Sequence, residues 1–298
     1  MMRILATLAL ALPLAAQIKG PLLDAHNCYP YMGQHADRIE RALSLGFPIS
    51  IEQDVALWDG HAVVSHTAKT TGVEPTLREH FFERVRPLMD KAFKENRRDT
   101  WPLIVVHFDF KDVQKPLLED VWKLLGEYEG WLTTTKKSSD PNKLGKFDMK
   151  PLLVLTEEAD EQEVVFYNEV KVGTKLRLFG SAHTKDLTAR ATNYRRWLNY
   201  SWKAVEPEGQ PKAGDWSPED AARLKNIVDR GHSLGYWVRF YTLDGFTAEE
   251  NQGWDASYNF GSHEAVTERW KAAMDANVDL IATDQYEMLA KLLAIRRN

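Results

Sequence analysis

The sequence predicts an α/β protein: one (β/α)8 TIM barrel, a single domain after an N-terminal signal peptide. Three observations carry that expectation. Short apolar runs alternate with longer amphipathic stretches from residue 22 onward, most runs are followed by a helix, and no linker or short repeat divides the chain. Strand–helix alternation implies a parallel sheet with right-handed crossovers. Eight such units in about 280 residues suit closure into a barrel. A doubly wound open sheet would use the same elements and is the structural alternative. The 298 residues are 44% apolar and 27% charged, proportions that exclude disorder, collagen and coiled coil.

The chain begins with a short basic start, Met1-Met2-Arg3, followed by an uncharged apolar run over 4–16. That length suits a signal-peptide core and is too short to span a bilayer. Pro13 inside the run argues against a buried N-terminal helix. The expectation is a signal peptide over 1–16, a domain over 17–298, and export to a periplasmic or extracellular location. Candidate strands follow at 22–25, 47–56, 103–110, 151–155, 175–180, 196–204, 236–242 and 278–283. Between the first two, Ala36, Ile39, Ala42 and Leu43 share a helical face that Gly46 ends. Thr76-Leu-Arg-Glu79 is a capping box opening a helix to about Asn96, and Ser217-Pro-Glu-Asp220 opens another. The polar segment 130–150 precedes a strand, so a barrel puts it at the bottom. Segments 203–216 and 243–261 follow strands and belong at the top, where barrels keep their sites. Phe246, Trp254, Tyr258 and Phe260 in the second segment could rim a pocket or simply pack on neighbouring helices.

The formal charge of −5, from 38 basic and 43 acidic residues, leaves no basic surplus to attract nucleic acid. A lone cysteine, Cys28, excludes an internal disulfide framework and any cysteine-ligated zinc site.

The second strand carries the first chemical signal. Ile49, Ile51, Val55 and Leu57 share one face, and Ser50, Glu52, Asp54 and Ala56 share the other, which in a barrel points inward. Two carboxylates at that spacing are about 7 Å apart at Cα. Buried together they are costly unless a cation lies between them, and a hard divalent ion resolves that cost. The third strand faces helices with Ile104, Val106, Phe108 and Phe110, leaving His107, Asp109 and Lys111 inward. Asp109 and Lys111 could also simply pair with each other. His26 ends the first strand, in Asp24-Ala-His-Asn-Cys28, and His66 follows the Asp59-Gly60 turn. Two histidines flanking a carboxylate cluster suit acid–base work.

Taken together, His26, Glu52-Gln-Asp54, His66 and Asp109 resemble the superfamily of phosphatidylinositol-specific phospholipase C and glycerophosphodiester phosphodiesterase enzymes. The segments WVRFYTLDG and ANVDLIATDQY are similar to that superfamily's last strands, so the resemblance spans most of residues 22–290. It implies a PLC-like barrel whose two histidines, His26 and His66, are catalytic. It implies a divalent ion, Mg2+ or Ca2+, on Glu52, Asp54 and Asp109. Asn27 stands where glycerophosphodiesterases usually have Arg; the calcium-dependent phospholipase branch has Asn there as a metal ligand. Asp109-x-Lys111 is similar to the sphingomyelinase D branch, whose disulfides a single cysteine forbids. The substrate is inherited from no one branch.

The expected function is an exported, metal-dependent phosphoric diester hydrolase acting on a lipid or small-molecule phosphodiester. Lys111, Arg239 and Tyr241, inward on their strands, would contact the substrate. His66 is assigned as acid and His26 as base or nucleophile. A non-catalytic phosphodiester- and metal-binding protein on the same barrel is the alternative. A Glu52/Asp54 glycosidase pair ranks below both, because neighbours on one strand cannot easily straddle a bond. Cys28 as nucleophile would leave the carboxylates unexplained. His183 has substrate contact and loop hydrogen bonding as equal readings. Oligomeric state is open, as is transient membrane-surface contact through the 243–261 aromatics.

Overall fold

The computed structural model describes residues 20–31, 33–185, 187–250 and 256–297. The expected signal peptide and Trp254 lie outside the described residues. Eight parallel strands close on themselves: β1 (Leu22–Ala25), β2 (Ile49–Trp58), β3 (Ile104–Phe110), β4 (Leu152–Thr156), β5 (Phe179–Ser181), β6 (Arg195–Ser201), β7 (Trp237–Tyr241) and β8 (Leu280–Thr283). Each strand pairs with the next, and β8 returns to β1 with Leu22 opposite Leu280 and Ala25 opposite Thr283. The sheet is therefore a closed (β/α)8 barrel, and the open doubly wound alternative is excluded.

Among the described residues, seven helices surround it: α1 (Arg38–Ser44), α2 (Glu83–Glu95), α3 (Lys115–Glu127), α4 (Asp160–Glu163), α5 (Pro218–Ser233), α6 (His263–Asp275) and α7 (Tyr286–Arg297). The capping signals read in the sequence are formed. Thr76 and Glu79 exchange hydrogen bonds before α2, and Ser217 and Asp220 do so at α5. Asn96 ends α2 with φ +52°. Against these helices the outward faces of β2 and β3 bury Ile49, Ile51, Val55, Ile104, Val106 and Phe108. Burial of each such side chain is worth about 1.5–3 kcal/mol.

The fifth predicted run divides in two. Lys175–Leu176 pairs antiparallel with Thr135–Lys136 outside the barrel, and the barrel strand starts only at Phe179. Gly180 explains the close approach there: a Cβ would stand 2.5 Å from the Tyr194 ring. Segment 130–150 lies at the bottom, as expected, where the Thr133 amide donates to the Leu152 carbonyl at 2.7 Å. Segment 203–216 lies at the top, where Gln210 Nε2 donates to the Thr242 carbonyl at 2.6 Å. Among the described residues, no helix is long and apolar enough to cross a membrane.

The barrel interior is unusual in its charge. Asp24, Glu52, His107, Asn199 and Arg239 point inward from five strands, where barrels commonly place branched aliphatics. Buried charge is tolerated only when paired, and these side chains are paired directly beneath the site.

Candidate active site

The C-terminal strand ends bring both predicted histidines and all three predicted carboxylates to one mouth. β2 makes the largest contribution. It carries Glu52 and Asp54 inward, overruns the barrel to Trp58, and turns at Asp59 and Gly60, whose φ values are +47° and +79°. Positive φ at both central residues marks the tight turn that matches strand twist. The chain then returns along β2 as His61–Val64, with Val64 opposite Val55. The Ser65 amide donates to the Asp54 carbonyl at 3.1 Å. His66 thereby lands beside Asp54, its Nδ1 3.0 Å from Oδ2. A two-residue turn thus fixes the spacing of this carboxylate–histidine pair along the chain.

The other histidine is clamped. His26 follows β1, its amide donating to the Thr283 carbonyl at 3.2 Å, while its own carbonyl accepts the Tyr286 hydroxyl at 2.5 Å. Its Nδ1 lies 2.9 Å from Asp284 Oδ1 and its Nε2 3.4 Å from Glu52 Oε2. Burial works to lower its proton affinity, but the charges of Glu52 and Asp284 outweigh burial and raise its pKa to about 9. Asp284 also accepts Arg38 Nη1 at 3.0 Å. Beside it, buried Asp244 accepts the Thr283 hydroxyl and the Asp284 amide, each at 2.8 Å. Burial, reinforced by the neighbouring Asp284 charge, pushes the Asp244 carboxyl up to about 7.

Between the histidines, ligand oxygens of Glu52, Asp54 and Asp109 all lie within 4.8 Å of one another. Lys111 Nζ bridges two of them, 2.7 Å from Asp54 Oδ2 and 2.8 Å from Asp109 Oδ2. The pairing of Asp109 with Lys111 foreseen from the sequence is therefore present, and Asp54 joins it. Burial pushes all three carboxyls toward protonation. For Glu52 the opposing charges of His26, Arg239 and His107 win, and its pKa is lowered. For Asp109 the Lys111 ammonium wins, with the same result. For Asp54 burial prevails over the His66 hydrogen bond, and its pKa is raised. An all-oxygen donor set of this kind fits a hard divalent cation, Mg2+ or Ca2+.

Asn27 has φ +51°. Its amide N–H donates to Glu52 Oε2 at 3.1 Å, and its side chain lies between Asp284 and the Tyr29 hydroxyl. Tyr241 and Tyr258 flank the His26 ring at 6.3 and 6.0 Å. Arg239 departs from expectation. Its side chain is only 1% exposed, bonded to Asp24 and to Asn199 Oδ1, with Nη2 3.4 Å from Glu52. Its charge therefore reaches the mouth through Glu52 and not by open contact with a ligand. Cys28 is buried and its thiol is held well above the usual range, chiefly by burial, which removes its case as a nucleophile. His183 pairs with Asp160 at 3.1 Å on an exposed loop, the hydrogen-bonding reading.

Sequence reasoning missed Asp284, Asp244, Tyr29, Arg38 and Glu157. Glu157 lies 2.5 Å from His107 Nε2, and His107 Nδ1 faces Glu52 Oε1 at 3.6 Å, so His107 props Glu52 from below. A signal for Glu157 was present, since Leu153 and Leu155 share an inward period that reaches it two residues later.

No protein-family model matches the chain, and no curated protein does. Two solved structures, both from Parabacteroides distasonis, resemble it. One is a glycerophosphoryl diester phosphodiesterase, 12% identical over 93% of this chain and 87% of that one, with a TM-score of 0.45. The other is a glycerophosphodiester phosphodiesterase, 15% identical over 93% of this chain and 98% of that one, with a TM-score of 0.48.

Proposed function

We propose that this protein is a metal-dependent phosphoric diester hydrolase of the phosphatidylinositol-specific phospholipase C and glycerophosphodiester phosphodiesterase type, exported and acting on a phospholipid or its headgroup diester. One observation carries the reading: two histidines, each backed by its own carboxylate, stand on either side of a three-carboxylate cluster. A binding protein needs charge to capture a phosphodiester, but not a matched acid and base.

Glu52, Asp54 and Asp109 would hold the ion, with Asn27 beside them. When bound, the ion supplies charge neutralisation of the anionic diester, which otherwise repels a nucleophile. The remaining work falls to side chains. Glu52 and Asp284 both pull a proton onto His26. His26, oriented through Nδ1 by Asp284, would serve as the base. It then accepts the proton of an attacking hydroxyl or attacks phosphorus itself. His66, side chain 36% exposed and held by Asp54, protonates the leaving alkoxide. A neighbouring hydroxyl on the substrate would make the first product a cyclic phosphate. Lys111 and Tyr241 would meet the phosphate, and an electrostatic contact of this kind is typically worth about 3–4 kcal/mol in the transition state.

The test is turnover of a phosphodiester panel: a chromogenic diester, glycerophosphocholine, glycerophosphoinositol, phosphatidylinositol and lysophosphatidylcholine. Each is run with magnesium, calcium or chelator, beside His26→Ala and His66→Ala. Ion-dependent cleavage lost in folded variants is the expected result. Full activity of His26→Ala would sink the assignment, and silence across the panel with an ion bound would favour the binding-protein alternative.

A further inference from the structure

Apart from His66, 36% exposed on Asp54, the cations around the mouth pair with carboxylates as follows. Arg38 is paired with Asp284, Arg239 with Asp24, His107 with Glu157, His26 with Asp284 and Glu52, and Lys111 with Asp54 and Asp109. Lys111 alone among these cations bridges two members of the cluster that suits a divalent ion. It also differs from the others in freedom. Its side chain is 20% exposed, against 7% for His26, 4% for Arg38, 1% for Arg239 and 0% for His107. Arg38, Arg239 and His26 are each held by more than one partner in fixed planar geometry, whereas an ammonium on a four-carbon stem can swing.

A bound divalent ion and the Lys111 ammonium draw on the same oxygens. Asp54 Oδ2 already has Tyr29, His66 and Lys111 around it, at 2.6, 3.0 and 2.7 Å. Two cations packed against that carboxylate repel each other, and the one with a route to solvent yields.

We propose that Lys111 is a resident counter-cation that competes with the divalent ion for Asp54 and Asp109, and is released toward the substrate phosphate when the ion binds. This rests on the reading of the cluster as an ion site. It gives Lys111 two jobs in sequence. Without the ion it keeps Asp54 and Asp109 from repelling each other, so the site stays folded. With the ion it becomes a mobile positive group at the mouth, free to pair with an anionic ligand.

The test needs no turnover. Magnesium and calcium are titrated calorimetrically into the chelator-stripped full chain, into Lys111→Met and into Lys111→Gln. Removing the competitor should tighten ion binding by about ten-fold or more, since an ion no longer has to break two ammonium–carboxylate contacts. In the wild-type protein, acetic anhydride labelling of Lys111, read by mass spectrometry, should rise as the ion saturates. That second measurement stands even where the variants fail to fold. Equal or weaker ion binding by the folded variants overturns the competition, as does labelling that an ion leaves unchanged. A different failure is distinguishable: if neither wild type nor variant takes up an ion, the ion-site reading falls and the competition falls with it.

Discussion

Replacing Asp284 by Asn tests the pairing that would make His26 the acid–base group proposed above. The structure gives the size of the effect. His26 is raised to about 9, with Glu52 and Asp284 supplying the upward pull against burial. The Asp284 contact is a buried 2.9 Å bond between an imidazole and a carboxylate. Hydrogen bonds to charged groups are worth about 1.5–3 kcal/mol, which converts to about one to two pH units at 1.36 kcal/mol per unit. The His26 titration in ion-free Asp284→Asn should therefore fall by that amount, followed by heteronuclear NMR of the imidazole nitrogens. Turnover with the ion present should drop by about a hundred- to ten-thousand-fold, the usual worth of a positioned acid–base group. Arg38 loses its counter-charge in the same variant, at a cost of about 3–5 kcal/mol, so folding is checked by near-UV circular dichroism. A His26 midpoint that stays where it is in the folded variant refutes the reasoning.

Other consequences follow from buried groups. Burial holds His80 down to about 4, so its contribution to stability is present above the unfolded value of 6.5 and is lost as pH falls through 4. The loss is on the order of 3 kcal/mol, and denaturant midpoints measured from pH 7 to 4 should fall less steeply in His80→Leu than in wild type. Arg239→Met leaves Asp24 buried and unpaired, and should cost about 3–5 kcal/mol in urea unfolding. The double variant with Asp24→Leu should recover much of that loss, and failure to recover would deny the pairing. Gly60→Val puts a β-branched residue at φ +79°, about 1–3 kcal/mol of strain. Its larger effect should be on turnover, through displacement of His66, with ion affinity nearly unchanged.

Much of the barrel is visible in the sequence because it is written in short-range patterns. Period-two alternation in 47–56 and 103–110 identifies the inward Glu52, Asp54, His107 and Asp109 without knowledge of any neighbour. The Asp59-Gly60 turn does the same for His66. What stays hidden is contact between segments far apart. Asp284 meets His26 across 258 positions, and Arg239 meets Asp24 across 215. Such pairings exist only because β8 and β7 close the ring against β1. The fifth strand illustrates a second limit. Residues 175–180 read as one apolar run, yet Leu176 and Phe179 serve different sheets, and only the partners Thr135 and Leu155 distinguish them.

The polar interior gives the mouth its rigidity. A carboxylate cluster on strand ends would ordinarily splay to regain solvent, since each unpaired buried charge costs several kcal/mol. Here Glu52 is held from below by Arg239 and His107, which are held in turn by Asp24, Asn199 and Glu157. Each of those partners sits on a different barrel strand or just beyond one, so the position of Glu52 is set by the closed ring and not by β2 alone. Asp54 is held by Tyr29 and His66 as well as by Lys111, whereas Asp109 leans on Lys111. The cluster thus has one member fixed by the ring and two that share the Lys111 ammonium. Variants beneath Glu52 should therefore disturb stability and ion affinity together, whereas variants at Lys111 should separate them.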